Sequence, residues 1–426
     1  MTGPSFEERT ARTRADSGAV FLALENHFNP TIALSGSISA GGAHCPPDNA
    51  VVASLTADML DKGTRRRSKM ALAGELESRA IGISFSASGG DPDNVDISLS
   101  CLSRDAETAI AALVEMLTEP AFPEDELARE KERLIGSVKQ MSDQTGWRAQ
   151  SAAARLLYPP GYPYYSETSE EIIASIEKTT REELVAFHER YYGACTLVLA
   201  AVGDLNRRAF VEEFPERLRG FPAGLRPAVD LPPVPAPDRR HELVRMKDKV
   251  NADVVLEHDS GLKRTDAHFL ATALGVSALG QSTLSSRLGL RVRDTEGLTY
   301  GINARIAAGR FSGPFTISLT AAPENVARAV ASAREVLGEF VSGGITEKEM
   351  DDEKRSRVGK FKVDLASNAG IAGALDMAET YGFGVSYLDD FPRLVAEFGK
   401  AEIDSAVARH LRPADLVEVA AGDFAG

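Results

Sequence analysis

No apolar run reaches the roughly 18 residues that a membrane-spanning helix needs, so no segment of this 426-residue chain reads as a span. Residues 1–18 are polar and mixed in charge and lack the apolar core of a secretory signal; a signal already removed, or a start further upstream, stays open. Cysteine is scarce. Cys45, Cys101 and Cys195 lie far apart with no C-x-x-C pair, which argues against a disulfide scaffold and against a zinc ribbon. Such a set fits a reducing compartment, so a soluble protein of the cytoplasm is expected rather than one of the periplasm. Positive charge is also short: 48 Lys and Arg against 62 Asp and Glu give a net charge of −14. Nucleic-acid binding through phosphate contacts is excluded on that count, whereas basic or extended peptides would be drawn to such a surface. None of the seven histidines, His27, His44, His188, His241, His258, His268 and His410, has another four residues away. No helix therefore presents a His pair to a metal. Gly41-Gly42 and Gly89-Gly90 lack phosphate-loop spacing and sit in strand-turn contexts.

What is present is a duplicated pattern. Prolines at 222, 227, 232, 233, 235 and 237 mark 221–240 as a semi-rigid linker between a domain at 1–220 and a second at 241–426. Leu197 to Asp204 is a buried-strand run closing on Gly-Asp, and Leu416 to Asp423 repeats it 219 residues later. Glu130-Lys131 recurs as Glu353-Lys354, 223 residues on, in a charged helix each time. Alternation predicts strands over 31–40, 94–102, 254–257 and 310–319. Helical periods follow at 106–117, 124–141, 181–191, 325–340, 347–365 and 402–410, with a Thr180…Glu183 capping box before the third. A sheet covered by helices and made twice is an α+β arrangement, two homologous α/β-sandwich domains.

One polar segment stands out, Ser286 to Tyr300, which reads as a helix end, a glycine turn and a strand start. Arg293 and Tyr300 are the kinds of donor that hold a peptide carbonyl as it gains negative charge. Tyr300 also shares a strand face with Ile302, Ala304 and Ile306, so simple packing is the competing reading.

These motifs resemble the pitrilysin/insulinase family of metallopeptidases, in the size class of mitochondrial processing peptidase subunits. Ser286-Arg287-Leu288, Arg293 and Gly297-Leu298-Thr299-Tyr300 match its S-R-L…R-x-x-x-G-L-x-Y motif. Tyr191-Tyr192-Gly193 with Val202-Gly203-Asp204, and Lys62-Gly63-Thr64, match its other signatures in order. The resemblance implies half of a clamshell and places an H-x-x-E-H motif just before Lys62. Those positions hold Ser54, Ala57 and Asp58, and where an E-x6-E pair would supply the third ligand, Glu130 is kept but Ser137 replaces the second glutamate. The expectation is that this chain binds no cofactor, zinc being carried by a partner chain with H-x-x-E-H. Arg293 and Tyr300 would be this chain's contribution to a heterodimeric zinc metalloendopeptidase that is inactive without the partner. The chain is also similar to the second half of fused family members. A proteolytically inactive scaffold subunit and a peptide-binding homodimer are the alternatives. Substrate would add as a strand to a sheet edge, for which 81–88 is a candidate, although its alternation fits an ordinary core strand equally.

Overall fold

A computed structural model describes residues 4–87, 91–226, 231, 233–238, 240–281 and 285–424. Parts of the proline-rich stretch (227–230, 232 and 239), the Gly89-Gly90 turn and the end of the 81–88 segment lie outside the described residues. The chain forms two compact units, each built on one sheet.

The first sheet runs β1-β2-β6-β3-β5-β4, with β1 Thr10–Arg14, β2 Val20–Glu25, β3 Thr31–Ile38, β4 Gly82–Ser86, β5 Val95–Leu102 and β6 Val198–Gly203. The second runs β7-β11-β8-β10-β9, with β7 His241–Arg245, β8 Ala252–Asp259, β9 Gly301–Ala308, β10 Ser312–Ala321 and β11 Val417–Gly422. Apart from the added edge strand β1, the two orders are the same. In each, the last strand of its half enters the middle of the sheet, parallel to the first and antiparallel to the second. The two Gly-Asp runs are those inserted strands, so the duplication read from the sequence is structural. Gly203 sits at φ +144°, and a Cβ there would meet the carbonyl oxygen of Thr31 at 2.1 Å. Only glycine lets β6 end against β3 in this way.

Each strand alternates according to what covers it. β5 buries every second residue, Val95, Ile97, Leu99 and Cys101, and exposes the others. β2 and β6 are buried on both faces, which removes the alternation. The predicted helices are present as Ala106–Thr118, Glu124–Ser142, Arg181–Tyr191, Val326–Gly343, Glu347–Asp364 and Lys400–His410. The Thr180–Glu183 capping box is formed in both directions.

The units are not collinear with the chain. The first unit takes the described residues within 1–135, 174–229 and 360–392; the second takes those within 136–173, 230–359 and 393–426. Helix Asn368–Thr380 therefore belongs to the first sheet, packing on β3 and β6. Ile371, Ala372, Leu375 and Ala378 bury against Val20, Leu22, Leu24, Val198, Ala200 and Val202. Asp376 fixes its register, its carboxylate accepting from Ser35 at 3.1 Å and Ser37 at 2.9 Å. Helix Thr145–Leu157 covers the second sheet in the corresponding way. Ala149, Ala152 and Ala153 are small enough to lie close to Val255, Val419 and Ala421. Part of the proline-rich stretch is packed rather than free: Val234 lies on the Tyr158, Tyr162, Tyr164 and Tyr165 cluster, and the Tyr162 hydroxyl donates to the Pro233 carbonyl at 3.1 Å.

Under helix Thr145–Leu157, Glu257 of β8 is fully buried. One carboxylate oxygen accepts from Gln150 and Thr316, both at 3.2 Å, and the other has no partner among the described residues. Burial pushes this carboxyl up to about 7, with its two hydrogen bonds opposing. The folded value lies above the ordinary 4.5, so the native state binds more protons between about pH 4.5 and 7 and stability falls as pH rises through that window. Glu257→Gln removes this titration. Its Tm, measured by calorimetry, is expected to match the parent near pH 4.5 and to exceed it at pH 8.

Candidate functional site

Arg293 and Tyr300 bracket a turn built by an unusual backbone. Gly289–Thr295 is a π-helical segment, in which hydrogen bonds reach one residue further than in an α-helix, as from the Glu296 N–H to the Arg291 carbonyl at 3.1 Å. Such segments are rare and occur often at functional sites. The turn closes when Gly297, at φ +63°, donates to the Arg293 carbonyl at 3.1 Å and Leu298 donates to that of Val292 at 3.0 Å. Tyr300 then donates its N–H to Thr320 of β10 at 3.0 Å and leads into edge strand β9.

The side chains of this segment divide cleanly. Leu288 and Val292 are fully buried anchors. Arg287 grips Glu349 through two bonds of 2.7 Å, and Arg291 pairs with Glu296 and Glu335. Arg293 differs from both: its one ion pair among the described residues is with Asp294, at 4.0 Å, and its side chain is 34% exposed. Tyr300 is 70% exposed, whereas Ile302 and Ala304 on β9 are buried. Packing therefore does not account for Tyr300. Among the described residues, the Arg293 guanidinium has no carboxylate closer than that of Asp294, and the Tyr300 phenol is exposed.

The other site positions lie on helix Val52–Met59 and helix Glu124–Ser142. The Ser54 hydroxyl donates back to the Val51 carbonyl at 2.9 Å, and Ala57 is buried. Asp58 is pushed up to about 6, by burial first and by the Glu130 carboxylate second, with Arg133 opposing. The Arg133 guanidinium donates to Glu130 through Nε at 2.8 Å and reaches the Asp58 carboxylate at 3.4 Å. A serine, an alanine and an aspartate with a cation beside it do not fit a divalent metal, which needs nitrogen or several anionic donors. Among the described residues, no three His, Cys, Asp or Glu side chains gather closely enough to hold a metal.

Arg133 was not evident as part of this site from sequence, although its three-residue spacing from Glu130 is the signal that pairs charges on one helix face. Tyr192, read from the sequence only as part of the Tyr191-Tyr192-Gly193 signature, also feels the Asp58 carboxylate. It is buried, stacks on His188 at 4.8 Å, and its hydroxyl has no partner among the described residues. Burial, and then the Asp58 carboxylate, raise its phenol above the ordinary value. No described helix is long and apolar enough to cross a membrane.

A duplicated α+β fold carrying this Arg–Tyr segment and these signatures is that of an insulinase-type peptidase half. The family model "Insulinase (Peptidase family M16)" matches residues 20–160, and "Peptidase M16 inactive domain" matches 178–357. The chain belongs to the peptidase M16 family. A Helicobacter pylori protein named "Non-peptidase homolog YmxG" is 23% identical over 397 residues, covering 92% of this chain and 89% of its own. The "Uncharacterized zinc protease YmxG" of Bacillus subtilis is 24% identical, covering 82% and 83%. The crystal structure of a peptidase M16 inactive domain from Pseudomonas fluorescens superposes with a TM-score of 0.90 at 28% identity, covering 98% of each chain. The periplasmic protease PqqL of Escherichia coli shares the fold with a TM-score of 0.81 at 14% identity, this chain spanning 46% of its length.

Proposed function

We propose that this chain is the non-zinc-binding subunit of a heteromeric zinc metalloendopeptidase. The observation behind this reading is a contrast between the two halves of the family's catalytic set. The metal positions are filled by Ser54, Asp58 and Ser137 and the general-base position by Ala57, with Arg133 paired to Asp58 and Glu130. Arg293 and Tyr300, in contrast, are retained; Arg293 is half-buried with its one ion pair among the described residues at 4.0 Å, and Tyr300 is exposed. A residue kept only for packing would be buried, as Val292 is.

In this mechanism the partner would hold the metal and the general base, and the metal would supply activation of water. This chain's residues act on the carbonyl oxygen. Arg293 offers a planar charged fork, and Tyr300 offers a neutral O–H that strengthens as the oxygen becomes an oxyanion. The acidic surface assists encounter with basic peptides.

A non-enzymatic scaffold subunit is the second reading, favoured by the similarity to a chain named a non-peptidase homolog. Metal analysis separates this chain's part from the partner's. The purified chain dialysed against zinc is expected to hold no stoichiometric metal, and an assembly with an H-x-x-E-H subunit to hold one zinc per pair. Stoichiometric zinc on this chain alone would overturn the reading.

A further inference from the structure

The Gly-Asp turn that ends β6 does more than close a strand. Asp204 accepts from the Ser103 hydroxyl at 2.8 Å and from His27 at 2.7 Å, and so stands at the mouth of a cleft of about 250 Å³ within the first unit. The cleft lies between helix Ala106–Thr118, helix Arg207–Arg217 and the β3–β5 face. Its floor is apolar, made by Ile32, Leu34, Leu99, Cys101 and Phe214, all buried side chains. Phe210 and Ile110 form the walls. The mouth is acidic. Glu107, Glu213 and Asp204 are among the lining residues, and the one guanidinium among the described lining, Arg217, is taken up by Glu107 through two bonds of 2.6 Å.

We propose that this cleft is a binding site for a small apolar cation, an amine carried on a single ring or a short alkyl chain. Size sets the limit. Sites for drug-sized ligands run to roughly 300–1,000 Å³, while an apolar cavity of about 150 Å³ in another protein takes benzene. A space of about 250 Å³ therefore accepts one ring and little more. Charge sets the polarity. Asp204 is held below the ordinary carboxylate range by the hydrogen bonds from His27 and Ser103, and remains ionised. With Arg217 paired to Glu107 and His27 beside Asp204, the Glu213 carboxylate keeps the cleft's balance of charge negative, so an ammonium is favoured over a carboxylate. The occupant's apolar body lies on the Leu99 and Phe214 floor, and its ammonium faces Asp204 and Glu213.

The test uses the full chain and three matched probes, benzylamine, benzyl alcohol and phenylacetate, followed by calorimetry and by chemical-shift changes of methyl groups lining the cleft. Benzylamine is expected to bind saturably and most tightly, with shifts confined to Leu34, Leu99 and Ile110. Ala209→Trp, which fills the cleft from the helix, should abolish binding of the amine and the alcohol. Glu213→Lys sits on the exposed rim and leaves the fold alone. It should weaken benzylamine roughly two- to fivefold, the range of an exposed ion pair, and leave benzyl alcohol unchanged. Failure of all three probes to saturate the cleft overturns the proposal, as does a preference for phenylacetate or binding that survives Ala209→Trp.

Discussion

Tyr300→Phe, introduced into this chain and assembled with a zinc-carrying family subunit, is expected to lower turnover by about 100-fold, the effect of losing one donor to a developing oxyanion. Assembly and Tm should stay unchanged, because the phenol is 70% exposed and makes no hydrogen bond among the described residues that the variant would lose. The loss should fall on kcat with little change in KM, since a carbonyl accepts a weaker hydrogen bond in the ground state than its oxyanion does. Arg293→Lys tests the same point from the other side. The charge survives but the planar fork does not, and an intermediate loss of activity is expected. Steady-state kinetics on a quenched peptide read both variants. Full activity in Tyr300→Phe would remove this residue from the mechanism.

The second large effect concerns folding. A chain ending at residue 220 retains every strand of the first sheet but lacks helix Asn368–Thr380. That truncation uncovers Val20, Leu22, Leu24, Val198, Ala200 and Val202 as one apolar surface. It also leaves Ser35 and Ser37 without the Asp376 carboxylate. Full burial of each Val or Leu side chain is worth about 1.5–3 kcal/mol, so exposing five of them costs about 7.5–15 kcal/mol, as much as the whole stability of about 5–15 kcal/mol of a typical domain. The fragment 1–220 is expected to be aggregated or molten, with dye binding to exposed apolar surface and rapid proteolysis. Co-expression with 221–426 should restore a soluble, protease-resistant complex, because each fragment brings the helix that the other sheet needs. A cooperatively folded 1–220 fragment on its own would show that the helix is dispensable.

That exchange of helices also marks where sequence reading reaches and where it stops. Strands such as β5 are legible because one face is buried and the other wet, which writes a period of two into the residues. β2, buried along Val20–Leu24, carries no such period. Helix Thr145–Leu157 rests its apolar face on alanines, too small to register as a hydrophobic stripe, and helix Asn368–Thr380 is interrupted by Gly370 and Gly373. Neither announces which sheet it covers, since both lie far in sequence from the strands they pack on. The inserted strands were legible through the repeat, because Gly203 answers to a close approach that no other residue permits.

For the site, Arg293 and Tyr300 were visible as chemistry and as a motif, but their availability was not. That Arg287 and Arg291 are tied to Glu349 and Glu296 while Arg293 is not depends on partners up to 62 residues away. Arg133 was hidden because it lies between the positions that the family motif singles out, and its role depends on Asp58 from another helix.

The central claim is a catalytic centre shared between two chains, and reconstituted peptidase activity tests it most directly. A quenched basic peptide is offered to this chain alone, to an H-x-x-E-H family subunit alone, and to the two together, with and without a chelator. Activity that appears in the mixture, vanishes on chelation and returns with zinc is the predicted result. A stable pair with no activity would contradict the claim and favour the scaffold reading, and full activity from the zinc subunit alone would show that Arg293 and Tyr300 of this chain are not needed.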